Sequence, residues 1–323
     1  MYDIITSKRS TFQKVVSLRI LIITRKENLP FNQTIKKEAK KQNIDIFFAD
    51  PFKLSIVYTK NEKYLLLDEK RLPDVHFVIP RMGKAVLDYG LHIIKQFENK
   101  NIFVFNSSES ITKTINKYYC LQNLASEEKI TVPDSVMIRN PKQLKEALKA
   151  IGGTPAIMKI LAANYKLGAM LIENEISASS FLDVNVAMGG IGQIGQGILI
   201  EKYYKESDGK AINLLMLEDK VISSYYSIKS FDFKQATKLF NKEEKGQIVP
   251  QENIKHLARL ATKKLGTSFS QVSIIETHEG PKIFEIDIMP EIDTFSKFSN
   301  TPIAKEIINF AILKHKEKLN IYE

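Results

Sequence analysis

Two carboxylates separated by one residue, Glu285 and Asp287, stand inside the alternating run Phe284-Glu285-Ile286-Asp287-Ile288. On a β-strand the side chains at i and i+2 point to the same side, so both acids face one way and the three apolar residues the other. The preceding run Gln271-Val272-Ser273-Ile274-Ile275 alternates in the same manner, and His278-Glu279-Gly280 has the length and the glycine of a three-residue hairpin loop. Such a loop places Thr277 opposite Pro281, Ser273 opposite Glu285 and Gln271 opposite Asp287. The polar face is then Gln271, Ser273, Glu285 and Asp287, and the apolar face Val272, Ile274, Phe284 and Ile286. Hard cations such as Mg²⁺ are held by one or two carboxylates together with substrate phosphates, which makes this face a candidate Mg²⁺–nucleotide platform. The same alternation also describes a half-exposed strand with a solvated acidic face.

The elements that must position these acids follow from periodicity and punctuation. Ile20 to Thr24 reads as a strand, Asn32 as the cap of a lysine-rich helix running to Gln42, and Ile44 to Phe48 as a second strand. A hairpin-like insert around Tyr64 to Leu67 precedes a strand at Val75 to Ile79, an amphipathic helix at Ala85 to Glu98 and a strand at Ile102 to Phe105. Strands alternating with helices in this order define a small doubly wound α/β unit.

Further on, a helix containing Lys117 leads to a strand at Ser135 to Ile138, a helix at Pro141 to Ala150 and a turn at Gly152-Gly153-Thr154-Pro155. The strand Ala156 to Ile160 carries a single lysine, Lys159, in an otherwise apolar run, with Ala169 to Glu173 as its hairpin partner. Within Gly189 to Gly197, the run Gly190-Ile191-Gly192-Gln193-Ile194-Gly195 fits G-x-G-x-x-G formally, but no good strand precedes it, so the stretch reads as a loop or linker and not as a dinucleotide fingerprint. Strands at Ile198 to Glu201, Ile212 to Leu217 and Val221 to Ser227 follow, then a helix at Asn253 to Leu265 ended by Gly266. After the acidic hairpin, Thr301 caps a last helix whose buried stripe is Ile303, Ile307, Phe310 and Ala311.

Composition bounds the function classes. The 323 residues, 44% hydrophobic and 26% charged, suit a soluble globular chain of two or three packed units. The single cysteine, Cys120, excludes an intramolecular disulfide and suits a reducing compartment, and no run reaches membrane-span length, so a cytoplasmic protein with no membrane partner is expected. A net charge of +10 would serve nucleic-acid binding if it were clustered, yet the lysines fall in small groups on helix surfaces, without aromatic interleaving.

Several segments in order then converge on one family. Pro80-Arg81-Met82-Gly83, the run from Asp88 to Glu98, Asn106-Ser107-Ser108-Glu109, Lys117 in its helix, Gly152-Gly153-Thr154-Pro155 leading to Lys159, and Phe284-Glu285-Ile286-Asp287 with Pro290 resemble the ATP-grasp ligases of the RimK type. The resemblance implies an ATP-grasp fold with an N-terminal pre-ATP-grasp α/β domain over 1–105, a central subdomain over 106–200 and a C-terminal subdomain over 201–323. It implies ATP and Mg²⁺ as cofactors, and activation of a carboxylate as an acylphosphate that is passed to an amine, such as glutamate added to the carboxyl end of a protein or small molecule. Assembly with a second copy of the chain is left open.

Carried over residue by residue, the resemblance puts Lys117 and Lys159 on ATP phosphates, backbone groups of Glu201 and Tyr203 on adenine, and Glu285, Asp287 and Ser273 on the metal positions. A lysine inside an apolar strand needs an anionic partner to offset desolvation, or else it snorkels to the surface. Five departures accompany the match. Ser273 replaces an aspartate. Ala162 to Gly168 replaces a glycine-rich phosphate loop, where Lys166 is the candidate contact. Ala211 replaces a ribose-gripping acid, for which Glu206 or Asp208 could substitute. Asn213 replaces an arginine, and Lys234 with Ala236 replaces a polar segment. Phosphoryl transfer depends on positioned positive charge, so a clamp that binds nucleotide without turning it over, acting as a regulatory or scaffold protein, is the alternative to the ligase.

Overall fold

The computed structural model describes residues 18–83, 86–160, 169–187, 197–230 and 242–319. The chain opens with strand β1 (Arg19–Ile23), helix α1 (Pro30–Lys41) and strand β2 (Asp45–Ala49). A small antiparallel sheet of β3 (Leu54–Tyr58), β4 (Lys63–Leu67) and β5 (Lys70–Arg71) follows, and then β6 (Phe77–Pro80), α2 (Leu87–Glu98) and β7 (Phe103–Val104). Strands β2-β1-β6-β7 form one parallel sheet in that order. Both faces of β1 are buried, Ile20 and Ile22 towards α1 and Leu21 and Ile23 towards α2, which explains the unbroken apolar run. One expected cap is corrected. Helix α1 begins at Pro30 after Leu29, and Asn32 lies inside its first turn, where its buried amide donates to the Lys26 carbonyl at 2.8 Å.

The helix expected around Lys117 is two. Helix α3 (Ser108–Ile115) stops at Asn116, which leaves helical geometry and caps α4 (Lys117–Ala125) by accepting from the Tyr119 N–H at 3.0 Å. Lys117 is therefore the first residue of its own helix. Next come β8 (Ser135–Ile138), α5 (Leu144–Ala150), β9 (Ala156–Ile160), β10 (Ala169–Ile172), α6 (Glu175–Ala187) and β11 (Ile198–Lys202). Strands β10-β9-β11-β8 make an antiparallel sheet whose apolar face, including Ala156, Met158, Ile198 and Ile200, packs on α5 and α6.

The remainder forms a five-stranded antiparallel sheet in the order β14-β13-β12-β15-β16. Its strands are β12 (Lys210–Leu217), β13 (Lys220–Ser230), β14 (Lys242–Gln247), β15 (Phe269–Thr277) and β16 (Gly280–Asp287). Helix α7 (Glu252–Leu265) covers one face over Ile212, Leu214, Val272 and Ile274, and ends at Gly266 with φ 69°, a left-handed position that suits glycine. Helices α8 (Ile292–Phe298) and α9 (Ile303–Lys318) close the chain. The stripe Ile303, Ile307, Phe310 and Ala311 is buried as expected, against α1 and the N-terminal sheet. Thr301 is not its cap, because Pro302 takes that position with no side-chain bond.

One buried side chain joins the first sheet to the last. Asn106, 3% exposed and with φ 63°, follows β7. Its amide donates to the Phe269 carbonyl at 2.6 Å and the Ile288 carbonyl at 3.3 Å, while its oxygen accepts from the N–H groups of Ser268 and Phe269 at 3.0 and 3.1 Å. Phe269 opens β15 and Ile288 directly follows β16, so this residue closes the open end of the acidic hairpin. Removing it strands several buried backbone groups, each costly to leave unmade. Asn106→Ala is expected to lower stability by about 2–4 kcal/mol, measured by urea denaturation, and a loss below about 1 kcal/mol would contradict the clamp.

On the far side, His76 and His315 lie with ring centroids 4.7 Å apart. Burial first, then the neighbouring His315, Arg19 and Lys318, hold the His76 imidazole below its ordinary range, against the opposing pull of Asp74. A histidine with a depressed pKa binds its proton less readily folded than unfolded. Its contribution to stability is therefore complete above about pH 6.5 and is lost as pH falls below it. Melting temperature should drop between about pH 6.5 and 5 more steeply in the wild type than in His76→Asn; parallel profiles would show that the pair is not the cause.

Candidate functional site

The carboxylate pair sits where the alternation placed it, by a different route. Thr277 pairs with Gly280, so the turn is the two residues His278 and Glu279 and not a three-residue loop. The register would then be one residue off, but a bulge between Ser273 and Ile274 inserts Phe284 and restores it. Ser273 ends opposite Glu285 and Gln271 opposite Asp287. The bulge also revises the apolar face. Ile283, fully buried opposite Ile274, takes the core position expected for Phe284.

Phe284, Glu285 and Asp287 instead line a cavity together with Lys117, Cys120 and Met289. The Lys117 Nζ lies 3.7 Å from Glu285 Oε1 and 5.7 Å from the centroid of Phe284. A cation at the first position of a helix is disfavoured by the helix dipole, and the carboxylate across the cavity offsets that. Asp287 Oδ1 accepts from the Met289 N–H at 2.8 Å, which fixes its orientation. Among the described residues no group of three or more His, Cys, Asp and Glu side chains could hold a metal ion alone. Two carboxylates are what Mg²⁺ needs when phosphate oxygens complete its shell, so the donor set fits a Mg²⁺–nucleotide pair and not a metal caged by protein.

Beside the acids lies a neutral network. Ser273, 1% exposed, donates to Asn213 Oδ1 at 2.8 Å, and Gln271 Nε2 donates to both, at 2.9 Å to Ser273 and 3.1 Å to Asn213. Asn213 in turn donates to Ser227 Oγ at 3.1 Å. The Ser273 hydroxyl thus donates to one neighbour and accepts from another within the sheet. Ser273 and Asn213 are both positions where the resemblance expects a charge, and they are bonded to each other.

The second lysine has a different anionic partner. Lys159 and Glu201 lie on one face of the central sheet, away from α5 and α6, and form an ion pair. Glu201 is 2% exposed, and among the described residues its Oε1 has no hydrogen-bond partner. An orphaned buried acceptor is a place for a donor, such as an amino group of a base. The anionic partner that desolvation demands of Lys159 is therefore in the protein itself. Tyr203 is half-buried, with its hydroxyl pKa raised by burial and by Asp208, an exposed residue at φ 46°. Tyr204 is buried between Lys202 and Lys282, whose Nζ atoms lie 5.1 and 5.4 Å from its ring centroid. Both lysines also bond Glu279 in the hairpin turn, at 3.3 and 2.9 Å, tying the end of β11 to the acidic hairpin. Glu206 accepts from the His278 N–H at 3.2 Å in the same turn. Lys166, Lys234 and Ala236 lie outside the described residues, as does most of the glycine-rich run.

The structure thus brings Lys117 onto the acidic pair, and sets Lys159 with Glu201 on a neighbouring sheet. Two residues quoted only as part of the resemblance have roles that the local pattern did not disclose. Asn106 clamps the hairpin, and Arg81 donates from Nη1 to the Pro290 carbonyl at 3.2 Å, just beyond the acids. Both contacts span more than 150 residues of sequence, and no periodicity reports that.

Comparison with known proteins fixes the class. The fold is that of the ATP-grasp ligases. The ligase PsnB in complex with its minimal precursor superposes with a TM-score of 0.69 at 15% identity, over 92% of this chain and 99% of that one. D-alanine–D-alanine ligase from Bacillus anthracis, complexed with ATP, gives 0.62 at 16%, over 94% and 99%. The RimK PreATP-grasp domain matches residues 18–111 and the RimK-like ATP-grasp domain residues 114–311. The chain belongs to the RimK-like ATP-grasp family. Similar full-length relatives include a probable alpha-L-glutamate ligase 1 of Shewanella denitrificans, 24% identical over 91% of this chain and 97% of its own length. A probable alpha-L-glutamate ligase of Coxiella burnetii is 25% identical over 94% and 98%. No described helix is long and apolar enough to cross a membrane.

Cys120 lines the cavity but is chemically muted. Burial, against the pull of Lys117 and with the added push of Glu285, raises its thiol to about 12. Thiolate is the reactive form. Iodoacetamide at pH 8 should leave the folded chain unmodified over a time that fully alkylates it in urea, and equal rates would show that the thiol is open.

Proposed function

We propose that this chain is an ATP- and Mg²⁺-dependent carboxylate–amine ligase, joining an amino acid such as glutamate to a carboxylate acceptor, a protein end or small molecule, through an acylphosphate. The observation that carries the reading is the cation-on-carboxylate geometry of the cavity, Lys117 at 3.7 Å from Glu285 with Asp287 on the same strand. Glu285 and Asp287 would hold Mg²⁺, which when bound neutralises phosphate charge. Lys117 would orient phosphoryl oxygens and stabilise the charge that develops on them. At the other end, the Glu201 oxygen supports adenine recognition, Lys159 pairs with that carboxylate and would border the phosphates, and Tyr203 with Asp208 would flank base and ribose. The names of the relatives support glutamate as the amino acid. The neutral network of Asn213, Ser273 and Gln271 favours a second reading, a clamp that binds nucleotide without turnover.

A ligand that binds only the folded state raises melting temperature. ADP with Mg²⁺ should stabilise the wild type, with the shift lost on omission of Mg²⁺ and on Glu285→Ala. Incubation with ATP, Mg²⁺, L-glutamate and glutamate-ended peptides should yield a product heavier by one glutamyl residue by mass spectrometry, lowered at least about a hundredfold in Glu285→Ala. Nucleotide binding without product across the peptide panel would select the non-catalytic clamp, and a nucleotide shift that survives Glu285→Ala unchanged would defeat the metal assignment.

A further inference from the structure

Arg81 has no part in the nucleotide and metal positions. It follows β6 at the carboxyl end of the parallel sheet, and its backbone N–H bonds the Ile23 carbonyl at 2.8 Å. That bond places it beside the end of β1, after which the exposed Arg25 and Lys26 follow. Three cationic residues thus follow two adjacent strand ends, with the Arg25 guanidinium 4.8 Å from the centroid of Phe52. In open parallel sheets, ligands bind in the crevice outside the carboxyl ends of the strands.

The surroundings of Arg81 describe a guanidinium that is held but not used up. It is half-buried, and it lies 5.6 Å from the centroid of Phe31, on which its plane can rest. Burial pushes its pKa below the ordinary arginine range, against the opposing pull of Asp293 and Asp287. A guanidinium carries five N–H donors, and among the described residues one of them, on Nη1, is bonded, to the Pro290 carbonyl. The chain next to Pro290 is already held without it, since Asn106 bonds Ile288 and Asp287 bonds Met289. The remaining fork has the geometry that carboxylates take in a bidentate manner. It stands at the segment three residues past Asp287, next to the end of the site where phosphoryl transfer would occur.

We propose that Arg81, with Arg25 and Lys26 at the neighbouring strand end, is a carboxylate-binding subsite for the organic substrate. The inference rests on the ligase reading, because both partners of such a reaction carry a carboxylate that does not react. The incoming amino acid retains its α-carboxylate, and an acidic acceptor peptide retains its side chains. Recognition of the charge, and not of the nucleotide, is the role of this residue.

Calorimetric titration of the full chain, saturated with ADP and Mg²⁺, tests it with two probes, L-glutamate and tetra-L-glutamate. Arg81→Met keeps the packing on Phe31 and removes the charge. It should weaken at least one probe by about tenfold or more, while ADP affinity stays within about twofold. Weakening of L-glutamate alone assigns the subsite to the incoming amino acid, and weakening of the peptide alone assigns it to the acceptor. Unchanged binding of both probes to Arg81→Met, or no binding of either to the wild type, overturns the proposal. If Arg81→Met does not fold, the exposed double variant Arg25→Gln, Lys26→Gln decides. About threefold weaker probe binding supports the subsite, and unchanged affinity overturns it. Wild-type protein that binds a probe but not ADP with Mg²⁺ would instead remove the ligase reading and leave the subsite standing.

Discussion

The hydrogen bonds of Asn106 are the constraint on which the rest of the site depends. A hairpin is pinned at its turn by two strands that cannot part, but its open end is free to fray unless something closes it. Here one amide bridges the first residue of β15 and the residue after β16, and the residue that carries it belongs to a different sheet. The N-terminal unit therefore does more than stand beside the acids. Asn106 also leads directly into α3 and α4, so the same stretch that closes the hairpin delivers Lys117 to Glu285. Cation and anion are positioned from one backbone anchor, and their separation does not depend on how the central sheet is placed.

The distribution of charge in the cleft separates into two kinds. Around Glu285 and Asp287, two half-exposed acids and a lysine line one cavity. Deeper in the same sheet, Asn213, Ser273, Gln271 and Ser227 satisfy one another with no net charge. Burying an arginine and an aspartate in place of Asn213 and Ser273 would require each to have the other, since a lone buried charge is strongly destabilising. The two positions are in direct contact, which explains physically why both are neutral together. The second ion pair, Lys159 with Glu201, is a buried one, and its lysine cannot leave without stranding the carboxylate.

Much of this arrangement was legible in the residues. Period-two alternation placed Glu285 and Asp287 on one side and opposite Ser273 and Gln271, and the lone lysine of Ala156–Ile160 announced a need for an anion. The parallel sheet, the hairpin of β9 and β10 and the buried stripe of α9 likewise followed from pattern. What failed was local geometry that depends on a partner. The Phe284 bulge exists because two strands adjust to each other, and at Asn116 the chain leaves helical geometry and caps α4 on the Tyr119 N–H. Asn32 carries the chemistry of a cap, but Pro30 starts the helix two residues earlier, and its amide serves a loop instead. The contacts of Asn106 and Arg81 join parts of the chain too distant for any window of sequence to report.

The bulge at Phe284 separates two properties that a regular hairpin would couple. In an unbroken ladder, changing the turn by a single residue rotates every side chain beyond it to the opposite face. Here the surplus residue is absorbed midway, so the tip of the hairpin and the acidic half obey different phase rules. The turn is thereby released to serve β11 through Glu279 and the segment after β11 through His278, and can vary in length over evolutionary time if the kink moves or disappears to compensate, while the acids keep their orientation.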